Sequence, residues 1–223
     1  MNIKRLELLT ADLQVQNDFY ENILELPVKL TSSNLEVKAG SSDLVFTQAP
    51  ADFDGAYHFA FNIPENQFSV AKKWISERIH LLRDESGQDE LESKNWNSHS
   101  VYFKDKAGNV LEFIARHNLE NAVSKDFDSE QILNISEIGL PSENVIRFAN
   151  ELCTALDLSV FRQEPNETFT PVGDDNGLFI LPIKNRIWIP NSGVPAKLLP
   201  VKVTGDTNGK EWEVRGVPYS ITY

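Results

Sequence analysis

A long internal repeat constrains this chain more than any other feature. Sliding the sequence along itself by 132 positions, without a gap, matches Thr10 with Ser142, Asp12 with Asn144 and Leu13 with Val145. The same shift matches Leu24 with Leu156, Leu26 with Leu158 and Val28 with Val160. Self-similarity across a strand, a helix and the next strand indicates duplication of one supersecondary unit. In the first copy, Arg5–Thr10 alternates as a strand with Leu6 and Leu8 on one face. Thr10 or Asp12 can cap the next helix, because either side chain accepts from free amides of a first turn. That helix is predicted to run to about Leu26, where Pro27 stops it. Three short strands follow, near Val28–Leu30, Leu35–Lys38 and Asp43–Thr47.

The pattern restarts after a linker at Gln48–Ala56. Tyr57–Ile63 reads as a strand and Phe68–Arg78 as a helix, with strands near His80–Arg83, Ser98–Lys104 and Asn109–Ala115. The acidic stretch Asp84–Asn95 reads as a solvated loop, or as a lid over a site. A second polar linker, His117–Gln131, leads to a strand at Leu133–Pro141 and a helix from Glu143 to about Asp157. Strands near Ser159–Arg162, Phe169–Val172 and Leu178–Ile183 complete this third module. The fourth is truncated to Val201–Thr204, a turn at Asp206-Thr207-Asn208-Gly209, and Glu211–Arg215. Small sheets with helices on one face make an α+β architecture.

Composition narrows the function. A formal charge of −12 over 223 residues argues against nucleic-acid or anionic-membrane partners. Cys153 is the only cysteine, so there is neither a disulfide framework nor a thiolate zinc cluster. No apolar run approaches the roughly 18 residues of a membrane span. The opening Met1–Arg5 lacks the apolar segment and cleavage site of a signal peptide. The expected protein is soluble and cytoplasmic, with a small molecule as its partner and a homodimer as one option for its assembly.

The hairpin Val101–Ile114, VYFKDKAGNVLEFI, carries the strongest motif. Its two strand-like runs flank a turn in which Gly108 is free to take positive φ. Glu112 sits in the apolar second run, where a carboxylate is either solvent-facing or paired, hydrogen-bonded or bound to a cation. This hairpin resembles the closing strand pair of the vicinal oxygen chelate superfamily, which includes glyoxalase I, extradiol ring-cleaving dioxygenases and bleomycin resistance proteins. Asp105, Gly108, Asn109 and Glu112 match the family's pattern, while Lys106 replaces its usual proline. The run HFAFNIP resembles the family's first-strand "H-x-A-F" motif and puts His58 at a ligand position. The resemblance implies that tandem βαβββ modules pair into curved mixed sheets with helices on the outer face. Pairing in sequence order predicts residues 1–116 as one paired-module domain carrying the site. Residues 133–223 then form a second, incomplete one.

The resemblance also implies a divalent metal ion, Fe, Mn, Ni, Co or Zn, held by His58 and Glu112. Imidazole nitrogen and carboxylate oxygen suit such ions, and a shared ion predicts donors within about 3–4 Å of each other. Arg5, which cannot ligate a cation, occupies the family's position on the first module's opening strand. Glu7, two residues on and facing the same way, is the expected third ligand; pairing with Arg5 is its alternative role. Val45 fills the fourth position, so a full glyoxalase I set is absent. Glu137 aligns with Arg5 and so with a ligand position, but its expected partner strand offers only Lys202 and Pro200. That half is expected to keep the scaffold without a site. Tyr102, ten residues before Glu112, matches a substrate-contacting tyrosine of extradiol enzymes and is the catalytic candidate; a core aromatic is the alternative. His99 has the opposite alternation and should face away. Trp188 and Trp212 read as packing or interface residues. A metal-dependent enzyme acting on a small oxygen-bearing substrate is expected, with ring-cleaving dioxygenase chemistry ahead of lyase chemistry. The alternative is a non-catalytic small-ligand-binding protein of the bleomycin-resistance type.

Overall fold

The computed structural model describes residues 1–50 and 52–223; the expected linker Gln48–Ala56 contains Ala51, which lies outside the described residues. Strand β1 (Asn2–Thr10) leads into helix α1 (Leu13–Asn22), then β2 (Val28–Leu30), β3 (Asn34–Ala39) and β4 (Ser42–Gln48). The second module has β5 (His58–Ile63), α2 (Phe68–Ser76), β6 (Leu91–Ser93), β7 (Ser98–Lys104) and β8 (Val110–Arg116). The third has β9 (Asn134–Gly139), α3 (Val145–Leu156), β10 (Phe169–Asp174) and β11 (Gly177–Pro182). The chain continues through β12 (Val201–Thr207), β13 (Lys210–Gly216) and β14 (Ser220–Thr222). The architecture is α+β, with curved mixed sheets.

The repeat is visible in the caps. Asp12 accepts from the Val15 amide at 3.0 Å, and Asn144 accepts from the Arg147 amide at 3.1 Å. The residues matched by the internal shift thus satisfy the same free amide of each first turn. Helix α1 ends four residues short of Leu26, at Asn22, and Glu25 takes a left-handed φ of 54° in the exit turn. The strand expected at His80–Arg83 does not form. The second strand of this module is β6, inside the stretch expected as a loop.

The modules pair differently from the sequential expectation. One sheet runs β14-β13-β12-β1-β4-β3-β2, and the other runs β10-β11-β9-β5-β8-β7-β6. The first module therefore shares a sheet with the C-terminal strands, and the second shares one with the third. The proposed 1–116 and 133–223 domains are replaced by this nested arrangement. Its physical basis is strand pairing: β1 runs antiparallel to β12, with Glu7 opposite Lys202, while β5 runs antiparallel to β9, with Ala60 opposite Glu137.

A continuous apolar core joins the two sheets, including Leu6, Leu8, Phe59, Phe61, Phe113, Ile135 and Phe179. The junction between sheets is tight. The Ser42 hydroxyl donates to the Ile3 carbonyl at 2.6 Å and accepts from the Ile135 amide at 3.0 Å. At Gly40, with φ of 55°, a Cβ would come within 2.0 Å of the Leu133 carbonyl oxygen. Only glycine fits that approach.

Candidate metal centre

The hairpin motif builds the site from below. Gly108 takes φ of 85° in the β7–β8 turn, and Asp105 closes that turn by accepting from the Ala107 and Asn109 amides at 3.0 and 2.9 Å. The other Asp105 oxygen accepts from Gln16, Tyr20 and the Asn109 side chain at 2.7, 3.2 and 2.7 Å, which ties the turn to α1. Burial pushes the Asp105 carboxyl above its ordinary range, and these donors oppose that shift. Asn109 in turn accepts from the Tyr57 amide at 2.8 Å, and the Val110 amide donates to the Tyr57 carbonyl at 2.8 Å. The motif residues thereby fix the start of β5, and with it His58.

His58 Nδ1 lies 3.0 Å from the Val110 carbonyl oxygen. A carbonyl only accepts, so Nδ1 carries the proton, and in the neutral ring Nε2 presents a free lone pair. That atom lies 3.8 Å from Glu112 Oε2 and 3.8 Å from Glu137 Oε2. All three residues are buried, and one ligand atom from each lies within 4.8 Å of the others. Distances of 3.8 Å are too long for hydrogen bonds. One ion at about 2.0–2.2 Å from each donor would span them.

The protonation of this cluster is unusual. Burial, reinforced by the neighbouring Glu137 charge, pushes Glu112 up to about 7. Burial disfavours a charged His58, but the Glu137 and Glu112 carboxylates outweigh it and raise its pKa. Two carboxylates and an imidazole out of water compete for a proton; a divalent cation would take its place.

The donor set fits a divalent metal ion. Fully buried Arg116 donates through Nη2 to Glu137 Oε1, leaving Oε2 turned toward His58. The strand registers identify a fourth position. His58 faces Val110 across β5–β8, and Glu112 lies two residues beyond; Glu137 faces Leu178 across β9–β11, and Ile180 lies two residues beyond. An apolar residue thus stands where the register would put a fourth donor, so the cluster offers three donors rather than four.

Above the three donors lies a cavity of about 210 Å³ lined by Tyr102, Ser100, Trp96, Ile114, Ile180 and Trp188, among others. An apolar cavity of about 150 Å³ holds a benzene ring, so this one has room for a small ring with substituents. Tyr102 sits directly across the β7–β8 ladder from Glu112 and is buried. Burial, then the Glu112 and Glu137 charges, hold its hydroxyl well above the ordinary phenol range, so it remains a proton donor.

The structure thus brings together His58, Glu112 and Tyr102, and it separates Glu7 from them. Glu7 lies in the other sheet, where it accepts from Arg5 at 2.9 Å and approaches Lys202 to 3.4 Å. Its third-ligand role is corrected: pairing of β1 with β12 sets it among Arg5 and Lys202, and the carboxylate that lies beside His58 and Glu112 is that of Glu137. The shift of 132 aligned Glu137 with a family ligand position, but the half that holds it was expected to carry no site; β9 instead pairs with β5 and brings Glu137 beside His58. Trp188 is also corrected, since its ring lies 4.8 Å from the His58 ring and walls the cavity. Gly139 makes room for it: a Cβ there would lie 2.4 Å from the indole. Trp212 packs on Phe179 in the core, as expected. His99 faces away, with Nδ1 2.8 Å from His117 Nε2. Arg116 carried no readable motif.

No family model matches the sequence, and no curated protein matches it. Among solved structures, the chain is similar to a protein from Bacillus subtilis subsp. subtilis str. 168 named as a candidate dioxygenase. That match has 15% identity and a TM-score of 0.64 over 96% of this chain and 81% of that one. It is also similar to glyoxalase I from Zea mays, at 14% identity and a TM-score of 0.52, over 82% of this chain and 66% of that one. At such identities the likeness is one of fold. With its duplicated modules and curved mixed sheets, the chain has a glyoxalase-like fold, shared with the candidate dioxygenase and glyoxalase I.

Proposed function

We propose that this chain is a metal-dependent enzyme acting on a small oxygen-bearing substrate, with His58, Glu112 and Glu137 as its metal ligands. The observation that carries the reading is the convergence of these three buried donors on the floor of an apolar cavity. Three protein ligands with open positions are the usual plan of a catalytic site, whereas structural sites are closed. When bound, a divalent ion supplies a Lewis acid toward substrate oxygens.

The residues of the chain do the rest. The Val110 carbonyl holds His58 in one tautomer, as hydrogen-bonded partners of ligating histidines generally do. Tyr102 keeps its proton and offers a hydrogen bond to a substrate oxygen beside Glu112. Trp188, Ile180 and Ile114 exclude water and favour a flat, largely apolar substrate body. The mixed His/Glu/Glu set suits both ring-cleaving oxygenation and lyase or isomerase chemistry on vicinal oxygens.

A second reading is a non-catalytic binder of a small apolar ligand. It is favoured by Arg116, which already supplies Glu137 with a counter-charge. Metal analysis of untagged protein, with thermal shifts in added Mn²⁺, Co²⁺ and Zn²⁺, separates the two. Stoichiometric metal lost on His58→Ala and on Glu137→Ala is expected for the enzyme. Absence of metal, with no ion raising the melting temperature, supports the binder.

A further inference from the structure

Arg116 is neither a metal donor nor a lining residue of the cavity, yet it is the largest fully buried side chain in the protein. It stands on β8 on the same face as Glu112, four residues on, and reaches Glu137 on the far side of β5. Its guanidinium lies under two aromatic rings, 5.5 Å from the Trp96 centroid and 5.7 Å from that of Phe161. Burying an arginine without water is costly unless it is paired, and Glu137 is its salt-bridge partner. Trp96, meanwhile, also lines the cavity.

The charges of this group add up in an instructive way. Glu112 and Glu137 are two anions, His58 is neutral as a ligand, and Arg116 is a permanent cation. The Glu137–Arg116 pair is therefore neutral overall, as an imidazole ligand would be. Two neutral ligands and one carboxylate describe the three-ligand facial set that holds ferrous iron with positions left open. A chain with Glu137 at this position and no arginine would instead present two uncompensated carboxylates, which favour a more highly charged ion.

Resting on the metal-site reading above, we propose that Arg116 is a positioning residue for Glu137: it holds one carboxylate oxygen, turns the other toward the ion, and cancels the charge of this ligand so that the site prefers a divalent over a trivalent ion. The aromatic cover from Trp96 and Phe161 keeps water from screening that charge, which makes it felt at the ion.

The test uses the full-length protein loaded anaerobically with iron, and reads the midpoint potential of the Fe(III)/Fe(II) couple beside the Co²⁺ dissociation constant. Arg116→Met is expected to raise the ratio of Fe(III) to Fe(II) affinity at least tenfold, which lowers the midpoint by about 59 mV or more for a one-electron couple. Arg116→Lys, which keeps the charge but not the fork, should weaken Co²⁺ binding while moving that ratio less than threefold. Glu137→Gln combined with Arg116→Met removes both charges, buries no unpaired ion, and should return the ratio to within threefold of wild type. This double variant carries the test if Arg116→Met alone does not fold. An unchanged ratio in Arg116→Met, or a tenfold shift in the double variant, overturns the inference. Wild-type protein that binds neither iron nor cobalt instead overturns the metal-site reading beneath it.

Discussion

Raising the pH from 5 to 8 should destabilise the metal-free protein, against the usual behaviour of carboxylates. A carboxyl whose folded pKa exceeds its unfolded value binds more protons in the folded state. Its contribution is therefore full below the unfolded pKa and is lost as the pH rises through the folded one. Glu112 moves from 4.5 to about 7, so the loss spans that window. The linkage relation gives about 2.5 kcal/mol between pH 5 and 8. His58, also raised, acts in the same direction as the pH climbs past its own folded value. The depressed groups, among them Asp54, Asp89 and Asp206, act in the opposite sense, but only as the pH falls below the ordinary aspartate range. For a chain of this size the change corresponds to a fall in melting temperature of about 5–10 °C. Scanning calorimetry in a chelator, at matched ionic strength, measures it. Glu112→Gln should flatten the profile. Saturating Co²⁺ should invert it, because the ion requires the deprotonated ligand and binds better as the pH rises. A metal-free protein equally stable at pH 5 and 8, or a Glu112→Gln variant with the wild-type slope, would refute the reasoning.

Other expectations follow from the same geometry. Glu137→Ala should weaken Co²⁺ binding about a hundredfold or more by calorimetric titration, whereas Glu7→Gln should leave it unchanged and cost less than about 1 kcal/mol, as half-exposed ion pairs do. Gly139→Ala forces the Trp188 indole off the cavity wall; about 1–3 kcal/mol of destabilisation and a shifted tryptophan emission are expected, and an unchanged spectrum would contradict the packing. Asp105→Asn sets an amide group against the donors of Gln16, Tyr20 and Asn109. Chemical denaturation should show a loss of about 1–3 kcal/mol, with weaker metal binding because the turn no longer fixes Tyr57 and His58.

The sequence made local structure legible where local physics decides it. The repeat located both helix caps, since Asp12 and Asn144 meet the same need for an acceptor. Alternation along β7 placed His99 and Tyr102 on opposite faces. Turn chemistry marked the β7–β8 hairpin, and the strand register then put Tyr102 across from Glu112. What local pattern does not encode is which sheet edge a strand joins. Nothing in RLELLT distinguishes β12 from β5 as a neighbour, because either offers a strand-like partner with apolar residues to bury. The choice of Glu7 over Glu137 inherited that ambiguity. His80–Arg83 shows the same limit at smaller scale: it is strand-like in composition, yet only Leu82 reaches the β7 backbone, through one bond to the Tyr102 carbonyl at 2.7 Å. Trp188 escaped because it lies on a loop whose path depends on contacts distant in sequence.

The nested pairing has a consequence for the order in which the chain can assemble. The sheet that carries the three donors draws only on residues between β5 and β11, an unbroken stretch of the chain. The sheet of β1 must wait for β12, almost the whole chain away. On a ribosome, the inner half can close while β1–β4 stand as an unfinished edge, open to mispairing until the last strands emerge. The outer sheet should therefore be the slow, long-range step of folding, closing around a centre already formed, like a clasp fastened last.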